Sequence, residues 1–127
     1  MTVGLAAVAS ANAFLNVFRG TTFTGLTGSF IKLHIGDPGA AATSNAAAVT
    51  TRNAIVWSAA SGGSMALSSL SGYSMTTSET ISHISIWDSA TVGTFYQSAA
   101  LSVAQAVING STLNFTTFTL AFTPIAA

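Results

Sequence analysis

Short runs of β-branched and aromatic residues alternate with clusters of Gly, Ser, Asn and Asp from residue 21 onwards, and this alternation restricts the chain to a mainly β fold. In the run SFIKLHI, the residues Ile31, Leu33 and Ile35 share one parity, so we expect them to face the core. Lys32 and His34 share the opposite face, where we expect them to be partly solvated or at a subunit contact. The sequence predicts strands at 29–35, 49–57, 64–70, 73–77, 80–87, 94–100 and 112–122.

Turn-forming residues separate the predicted strands and set the fold class. Residues 40–48 (AAATSNAAA) have no strong pattern, and we expect an exposed or partner-covered excursion there. The spacing of short strands and turns predicts a single-domain antiparallel β-sandwich, jelly-roll-like, over residues 21–127. The turn signals are Asp37-Pro38-Gly39, Ser61-Gly62-Gly63, residues 88–93 and Asn109-Gly110.

The one predicted helix covers residues 3–19 (VGLAAVASANAFLNVFR). Apolar residues recur there at steps of three and four and form one stripe, called the N-terminal stripe below. Alanine favours a helix, Arg19 suits its C-terminal end and Gly20 can supply the left-handed cap. We expect residues 1–20 to pack on the β domain or to extend from it. The N-terminal stripe consists of Leu5, Val8, Ala11, Leu15 and Phe18.

The last predicted strand contains a parity conflict. Leu113 and Phe115 share one parity, whereas the three apolar residues from Phe118 to Phe122 share the other. A bulge at 116–117 would return all five to one face. The alternative is a strand that is buried on both sides.

Charge is the most unusual part of the composition. Charged residues make up 5% of the 127 residues, against about 25% in an average soluble domain. The formal net charge is zero, so a free monomer with this surface would tend to associate. We therefore expect an ordered subunit whose surface of Ser, Thr, Asn and Gly is largely covered in an assembly, as in a homo-oligomer.

The composition also excludes several partners and chemistries. Three scattered cations, Arg19, Lys32 and Arg52, cannot form the basic stripe that a phosphate backbone requires, so we expect no nucleic-acid partner. The chain has no cysteine, which excludes disulfides and thiolate chemistry. No continuous apolar span reaches about 20 residues, so we expect no membrane insertion.

Two histidines lie in predicted strands that end at an aspartate, and these pairs are the strongest candidates for chemistry. His34 precedes Asp37, and His83 precedes Asp88 in SHISIWDSATVG. A histidine oriented by a carboxylate can act as a general base, and the four side chains together could ligate a divalent metal if the strands met in a suitable register. An aspartate at such a position commonly closes a turn through its own backbone, however. We therefore predict no catalytic residue and no metal or cofactor site.

Arg52, Trp57 and Trp87 are further candidates for contacts within the fold or at an interface. Arg52 lies in TTRNAIVW, and we expect it to pair with an aspartate (Asp37 or Asp88) or with backbone carbonyls. The tryptophans bring large apolar area to a core or an interface. The predicted structural or interface residues are Lys32, His34, Asp37, Arg52, Trp57, His83, Trp87 and Asp88.

Several motifs follow one another over nearly the full chain. The alanine-rich N-terminal helix is followed by KLHIGDPG, TSN, TTRNAIVWSAASGG, ISHISIWDSATVGTFYQSAAL and VINGSTLNF. Each motif alone is a strand and a turn, but their succession resembles a family of small bacteriophage proteins described as tail-fibre-like or minor virion structural proteins. The resemblance implies a small β-rich virion subunit without catalytic residues.

Charge depletion, β patterning and this resemblance together predict a non-enzymatic bacteriophage virion protein, assembled in the host cytoplasm, with major capsid or tail proteins as partners. A compact domain without a fibrous repeat favours a capsid decoration or minor capsid protein that stabilises the particle through subunit contacts. The alternative is a tail or tail-fibre protein, including a lectin-like receptor-binding module with Phe23, Tyr73 and Tyr96 exposed on loops. A small hydrolase using His34 or His83 is the remaining hypothesis.

Overall fold

The computed structural model describes residues 3–25 and 28–122. Its helical part is short: a π-helical turn at Ala7–Ala11 leads directly into helix α1, Asn12–Val17. The strands are β1 Gly4–Leu5, β2 Phe30–His34, β3 Asn53–Trp57, β4 Ser64–Leu70, β5 Tyr73–Ser74, β6 Glu79–Trp87, β7 Phe95–Val107, β8 Thr112–Leu113 and β9 Thr119–Ala121.

Seven of these strands form one antiparallel sheet that is strongly curled, in the order β1-β7-β6-β2-β3-β4-β9. The other two strands, β5 and β8, form a separate antiparallel ribbon. The predicted mainly β, antiparallel fold with one helix near the N-terminus is therefore confirmed. Three strands differ clearly in extent from their predictions: β3 begins only at Asn53, and β5 ends at Ser74 and not at residue 77. The third, β7, runs beyond residue 100 to Val107, where it pairs with the start of β6.

The core lies between the curled sheet and the ribbon. Ile31 and Leu33 of β2 are completely buried, together with Ile84 of β6 on the same side of the sheet. Tyr73 of the ribbon closes this core, because its hydroxyl donates a 2.6 Å hydrogen bond to the Ile31 carbonyl. Burial raises the pKa of Tyr73, so the hydroxyl keeps its proton and remains a donor. The ribbon is thus tied to the centre of the sheet.

The prediction for β2 is correct for Ile31 and Leu33 and wrong for Ile35, whose side chain is 46% exposed. The strand ends at His34, and the chain then enters the Asp37 turn, so the alternation of faces does not continue. Ile35 donates its backbone N–H to the Asn45 carbonyl instead.

Residues 40–48 fold back along β2 and are not a fully exposed excursion. Ala42 and Ala47 are buried, and the Ala47 N–H donates to the Leu33 carbonyl at 3.1 Å. The loop folds back because one edge of β2 is unpaired beyond Ile31: β3 pairs only with Phe30 and Ile31. Backbone groups further along β2 need other partners, and this loop supplies them.

The parity conflict in the last predicted strand is resolved by a break, so the predicted bulge is wrong. The chain leaves the ribbon after β8 and joins the main sheet as β9, next to β4. Between them, Phe115 and Phe118 pack edge-on against each other with ring centroids 6.1 Å apart. The two halves can keep different parities because they belong to different sheets.

The helical segment is shorter than predicted, because Gly4–Leu5 is a strand that pairs with Ser98 and Gln97 of β7. Its C-terminal end is as predicted: Gly20 has a φ of 78°, the N–H of Gly20 donates to the Val17 carbonyl, and the N–H of Thr21 donates to the Asn16 carbonyl. This pair of bonds is the Schellman motif. Among the described residues, no helix has the length and apolarity needed to cross a membrane.

Candidate interaction surface

His34 lies at the end of β2, and its ring is completely buried. Nδ1 lies 2.9 Å from the Ser44 carbonyl oxygen, and Nε2 lies 2.8 Å from the Ser85 hydroxyl oxygen. That hydroxyl oxygen also accepts a 2.8 Å hydrogen bond from the indole N–H of Trp87. Because a carbonyl oxygen can only accept, Nδ1 carries the proton and Nε2 accepts the proton of the Ser85 hydroxyl.

Burial lowers the pKa of His34, since the imidazolium would lose its hydration, and the positive charge of Lys32 adds to this effect. The hydrogen bond from Nδ1 to Ser44 acts in the opposite direction. The ring is therefore neutral near pH 7, and both of its nitrogens are engaged inside the chain. The prediction that His34 is partly solvated is wrong because residues 40–48 cover it.

Arg52 precedes β3 and lies against Trp87, with the guanidinium carbon 3.7 Å from the centre of the indole ring. Its Nη1 donates to the backbone carbonyls of Ser89, Thr91 and Val92, which belong to the turn after β6. Backbone carbonyls were among the predicted partners of this residue. The arginine therefore joins the start of β3 to the turn that follows β6.

The two aspartates close turns, as predicted. The Asp88 carboxylate accepts the N–H of Thr94 at 2.7 Å, and the backbone N–H of Asp88 donates to the Thr94 carbonyl. The Asp37 carboxylate accepts the N–H of Gly39 at 2.9 Å. Each of these bonds serves the local backbone, which is the ordinary role of Asp in such turns.

The four side chains considered for a metal site do not converge. His34 and His83 are direct partners across β2 and β6. Because these strands are antiparallel, Asp37 and Asp88 follow them at opposite ends of the pair. In the part of the chain that the structure describes, no group of three or more His, Asp or Glu side chains could hold a metal ion.

The other predicted residues also make contacts within the chain. Lys32 is half-buried beside Ser85, and its pKa is lowered, mainly by burial and less by the charge of Arg52. Trp57 is half-buried and packs edge-on against Phe118 at 5.7 Å. The Glu79 carboxylate accepts the N–H of Ala48. A role for Lys32 or Trp57 at a subunit interface stays a prediction.

Of the three aromatic residues required by the lectin-like alternative, one is exposed on a loop as predicted: Phe23, whose side chain is 36% exposed. Tyr73 is buried in the core, so the prediction of an exposed Tyr73 is wrong. Tyr96 is half-buried in β7. Phe23 stacks on Phe14 with ring centroids 5.1 Å apart.

The segment from the π-helical turn to the end of α1 is attached to the sheet through one face, its inner face. Ser10 is buried there, and its hydroxyl donates a 2.6 Å hydrogen bond to the Tyr96 carbonyl. One turn later Phe14 stacks on Phe23 and meets Phe122 edge-on at 5.8 Å. A cavity of about 210 Å³ lies between this face and the sheet, with Trp57 and Ile86 in its lining.

The outer face of the same segment carries the middle of the N-terminal stripe, which begins at Leu5 in β1 and ends at Phe18, directly after α1. Phe18, Val8 and Leu15 of the stripe are 90%, 81% and 65% exposed. A shallow apolar groove of about 570 Å³ lies beside them, lined by Leu5, Ala11, Phe14, Leu15 and Phe122. The helical segment thus turns its apolar stripe outwards and anchors itself through a serine and one phenylalanine.

A family model described as Podophage GP4 fiber I protein gp80 matches residues 6–123. The chain belongs to this phage fibre family. The gp80 match covers most of the chain and confirms the predicted resemblance to phage tail-fibre-like proteins, which makes the chain a structural component of a phage virion. No curated protein matches the sequence significantly.

Sequence reasoning missed several functional features of this gp80-family chain. It found the N-terminal stripe but not that the stripe faces outwards. It also did not predict that Phe14 and Phe122 line the groove. The signal was Ser10, a polar residue on the side of the helix opposite the stripe, which finds its partner on β7. It also missed Ser85, the centre of the buried hydrogen bonds around His34.

Proposed function

We propose that the chain is a non-enzymatic structural subunit of a phage fibre, present in several copies and attached to other virion proteins. The observation that carries this proposal is the match of residues 6–123 to a fibre protein family. The virion role is the one expected from the sequence, but the proposed location is the fibre and not the capsid.

The chemistry of the described residues supports a structural role. The ionisable groups that were candidates for catalysis all have partners within the chain: His34 in a buried network, His83 at the Ser82 hydroxyl, and Asp37 and Asp88 in turns. A hydrolase would need a nucleophile and a base within hydrogen-bond reach in an accessible cleft. His34 offers neither access nor a free nitrogen.

The proposed partners are further copies of the chain and the tail or capsid proteins to which the fibre attaches. Electrostatics supports protein partners, since three cations and three anions give a net charge of zero. Such a surface gives no counterion-release gain on nucleic acid, so no nucleic-acid partner is proposed, and no membrane insertion is proposed either.

The second candidate is a capsid decoration or minor capsid protein. The observation that favours it is the absence of a long fibrous repeat in the sequence, since a single curled sheet with a ribbon suits a surface clamp. In this case the subunit would stabilise the particle by binding the assembled state only.

The test is quantitative mass spectrometry of purified phage particles separated into capsid and tail-plus-fibre fractions. The fibre proposal predicts peptides of this chain in the tail-plus-fibre fraction at a constant number of copies per particle. Recovery in the capsid fraction would replace it with the decoration role. Absence from intact particles would contradict both.

A further inference from the structure

We propose that the N-terminal stripe and the groove beside it form the surface through which the chain binds a second copy of itself. This inference rests on the proposed structural function and names the partner and the residues. Three features of the described residues carry it: the outward direction of the stripe, the size of the apolar patch and its self-complementary shape.

The apolar face of the helical segment points away from the core, which is the opposite of what is usual in a single folded chain. A surface helix ordinarily turns its apolar face to its own core and its polar face to water. Here the buried Ser10 faces the sheet, whereas Val8, Leu15 and Phe18 face solvent. Exposing these side chains costs free energy in the monomer, and a second surface that covers them recovers it.

Exposed apolar residues are concentrated in this patch. Among the described residues, seven of the thirteen large apolar side chains that are exposed belong to the stripe, α1 or the groove; an eighth, Phe23, stacks on Phe14, and the other five lie elsewhere in the chain. Aromatic side chains bury about 150–250 Å² each, so the patch offers on the order of several hundred Å². That is as large as the patches monomeric proteins leave exposed, and it approaches the roughly 800 Å² that one partner gives to a standard interface. The seven are Leu5, Val8, Phe14, Leu15, Val17, Phe18 and Phe122.

The patch holds both a projection and a recess. Phe18 is 90% exposed at the end of the stripe, and the groove is lined almost entirely by apolar side chains. A surface that carries both can pair with its own copy, so that each chain inserts its projection into the recess of the other. Leu15 and Phe18 are three residues apart at the end of α1, so they lie on the same side of that helix.

The scarcity of charge is compatible with a second copy and argues against a membrane surface. Arg19 is the only charged residue in the first 31 residues of the sequence; its side chain is exposed and, among the described residues, no charged one lines the groove, so pairing through the groove buries no charge there. A helix that lies on a membrane usually has a polar face rich in Lys and Arg. Here the opposite face carries Ser10, which is already bonded to β7.

The test compares the native mass of the full chain with that of two double variants by light scattering coupled to size exclusion. Leu15→Gln with Phe18→Gln removes the apolar contacts, and Val92→Gln with Val103→Gln removes two apolar side chains that are equally exposed elsewhere. We expect a mass of two or more chains for the wild type and for Val92→Gln/Val103→Gln. For Leu15→Gln/Phe18→Gln we expect self-association about 100-fold weaker or more, with unchanged circular dichroism.

Oxidative cross-linking gives a second measurement, because the chain has no cysteine of its own. The double variant Ala11→Cys/Leu15→Cys should form covalent dimers whether the two stripes run parallel or antiparallel, and Val103→Cys should not. A monomeric wild type at high concentration, or equal mass and cross-linking in stripe and control variants, would overturn this inference. It would leave the fibre proposal standing, since that depends on the location of the subunit in the particle.

Discussion

The guanidinium carbon of Arg52 lies 3.7 Å from the centre of the Trp87 ring, at the point where the start of β3 meets the turn after β6. From this position one arginine holds three backbone carbonyls of the turn. The contact shows how a chain with few charged residues uses them: this cation orders its own backbone instead of pairing across the surface.

Replacement of Arg52 should therefore destabilise the fold. We expect Arg52→Ala to lower the free energy of unfolding by about 1.5–3 kcal/mol, because the charged hydrogen bonds and the cation–π contact are lost together. Arg52→Lys should lose part of this, since a lysine cannot present a flat fork of donors. Urea unfolding measures both. The control is Arg19→Lys, which changes an exposed side chain that donates to Asn16 and should alter stability by less than about 0.5 kcal/mol.

His34 should make stability depend on pH. Its pKa is lowered in the folded chain from the ordinary value of 6.5, so the unfolded chain binds the proton more readily. The contribution is complete above about pH 6.5 and is lost progressively as the pH falls below it. We expect the free energy of unfolding to fall between pH 7.5 and pH 5, measured by urea unfolding above the range in which carboxylates titrate.

The variant His34→Gln tests this assignment, because it cannot titrate and keeps polar groups near Ser44 and Ser85. It should be less stable at pH 7.5 but flatter between pH 7.5 and pH 5. The control is His83→Gln, which removes the other histidine of the chain. If the pH dependence of stability persisted in His34→Gln and vanished in His83→Gln, it would come from His83, and the prediction for His34 would be contradicted.

Gly93 should not tolerate a side chain. Its φ is +105°, and a Cβ there would lie 2.7 Å from the Cβ of Ser89 and even closer to the Asp88 carboxylate that closes the turn. We expect Gly93→Ala to lower the free energy of unfolding by about 1–3 kcal/mol. The matched control is Gly25→Ala, where a Cβ meets no atom within 4 Å. Equal thermal midpoints for the two variants would contradict the claim that a Cβ at position 93 strains the turn.

The hydroxyl of Tyr73 should contribute to stability in addition to the packing of its ring in the core. Tyr73→Phe removes the donor and leaves the Ile31 carbonyl without that bond, at a cost of about 1–3 kcal/mol. Tyr96→Phe removes a hydroxyl from a half-buried tyrosine and should cost less than about 0.5 kcal/mol. Chemical denaturation of the pair compares the two directly, and a larger loss for Tyr96→Phe would count against the assigned role.

Local patterns predicted most strands, the turns at Asp37 and Asp88 and the cap at Gly20, since these depend on residues close in sequence. Most of the failures involve partners that are more distant in sequence. The alternation in SFIKLHI identified the buried Ile31 and Leu33. The burial of His34 depends instead on residues 40–48, which cover it, and its second nitrogen is bonded to Ser85, which is 51 residues away. The break between Leu113 and Phe118 depends on whether each half joins β5 or β4.

The N-terminal stripe shows the same limit at the candidate interface. Its spacing was visible in the sequence, but spacing gives only the shape of a face and not the direction in which it points. That direction is set by contacts of Ser10 with Tyr96 and of Phe14 with Phe23, on the other side of the helix. A single sequence without these contacts could not separate a core-facing stripe from an assembly-facing one.

The most direct test of the account is a reconstruction of the intact phage particle by electron cryomicroscopy, at a resolution that locates this subunit and its neighbours. The account predicts density for the chain in a fibre, with Leu15 and Phe18 of each copy covered by a neighbouring copy. Absence of the subunit from the particle, or its presence on the capsid with Leu15 and Phe18 facing solvent, would contradict it.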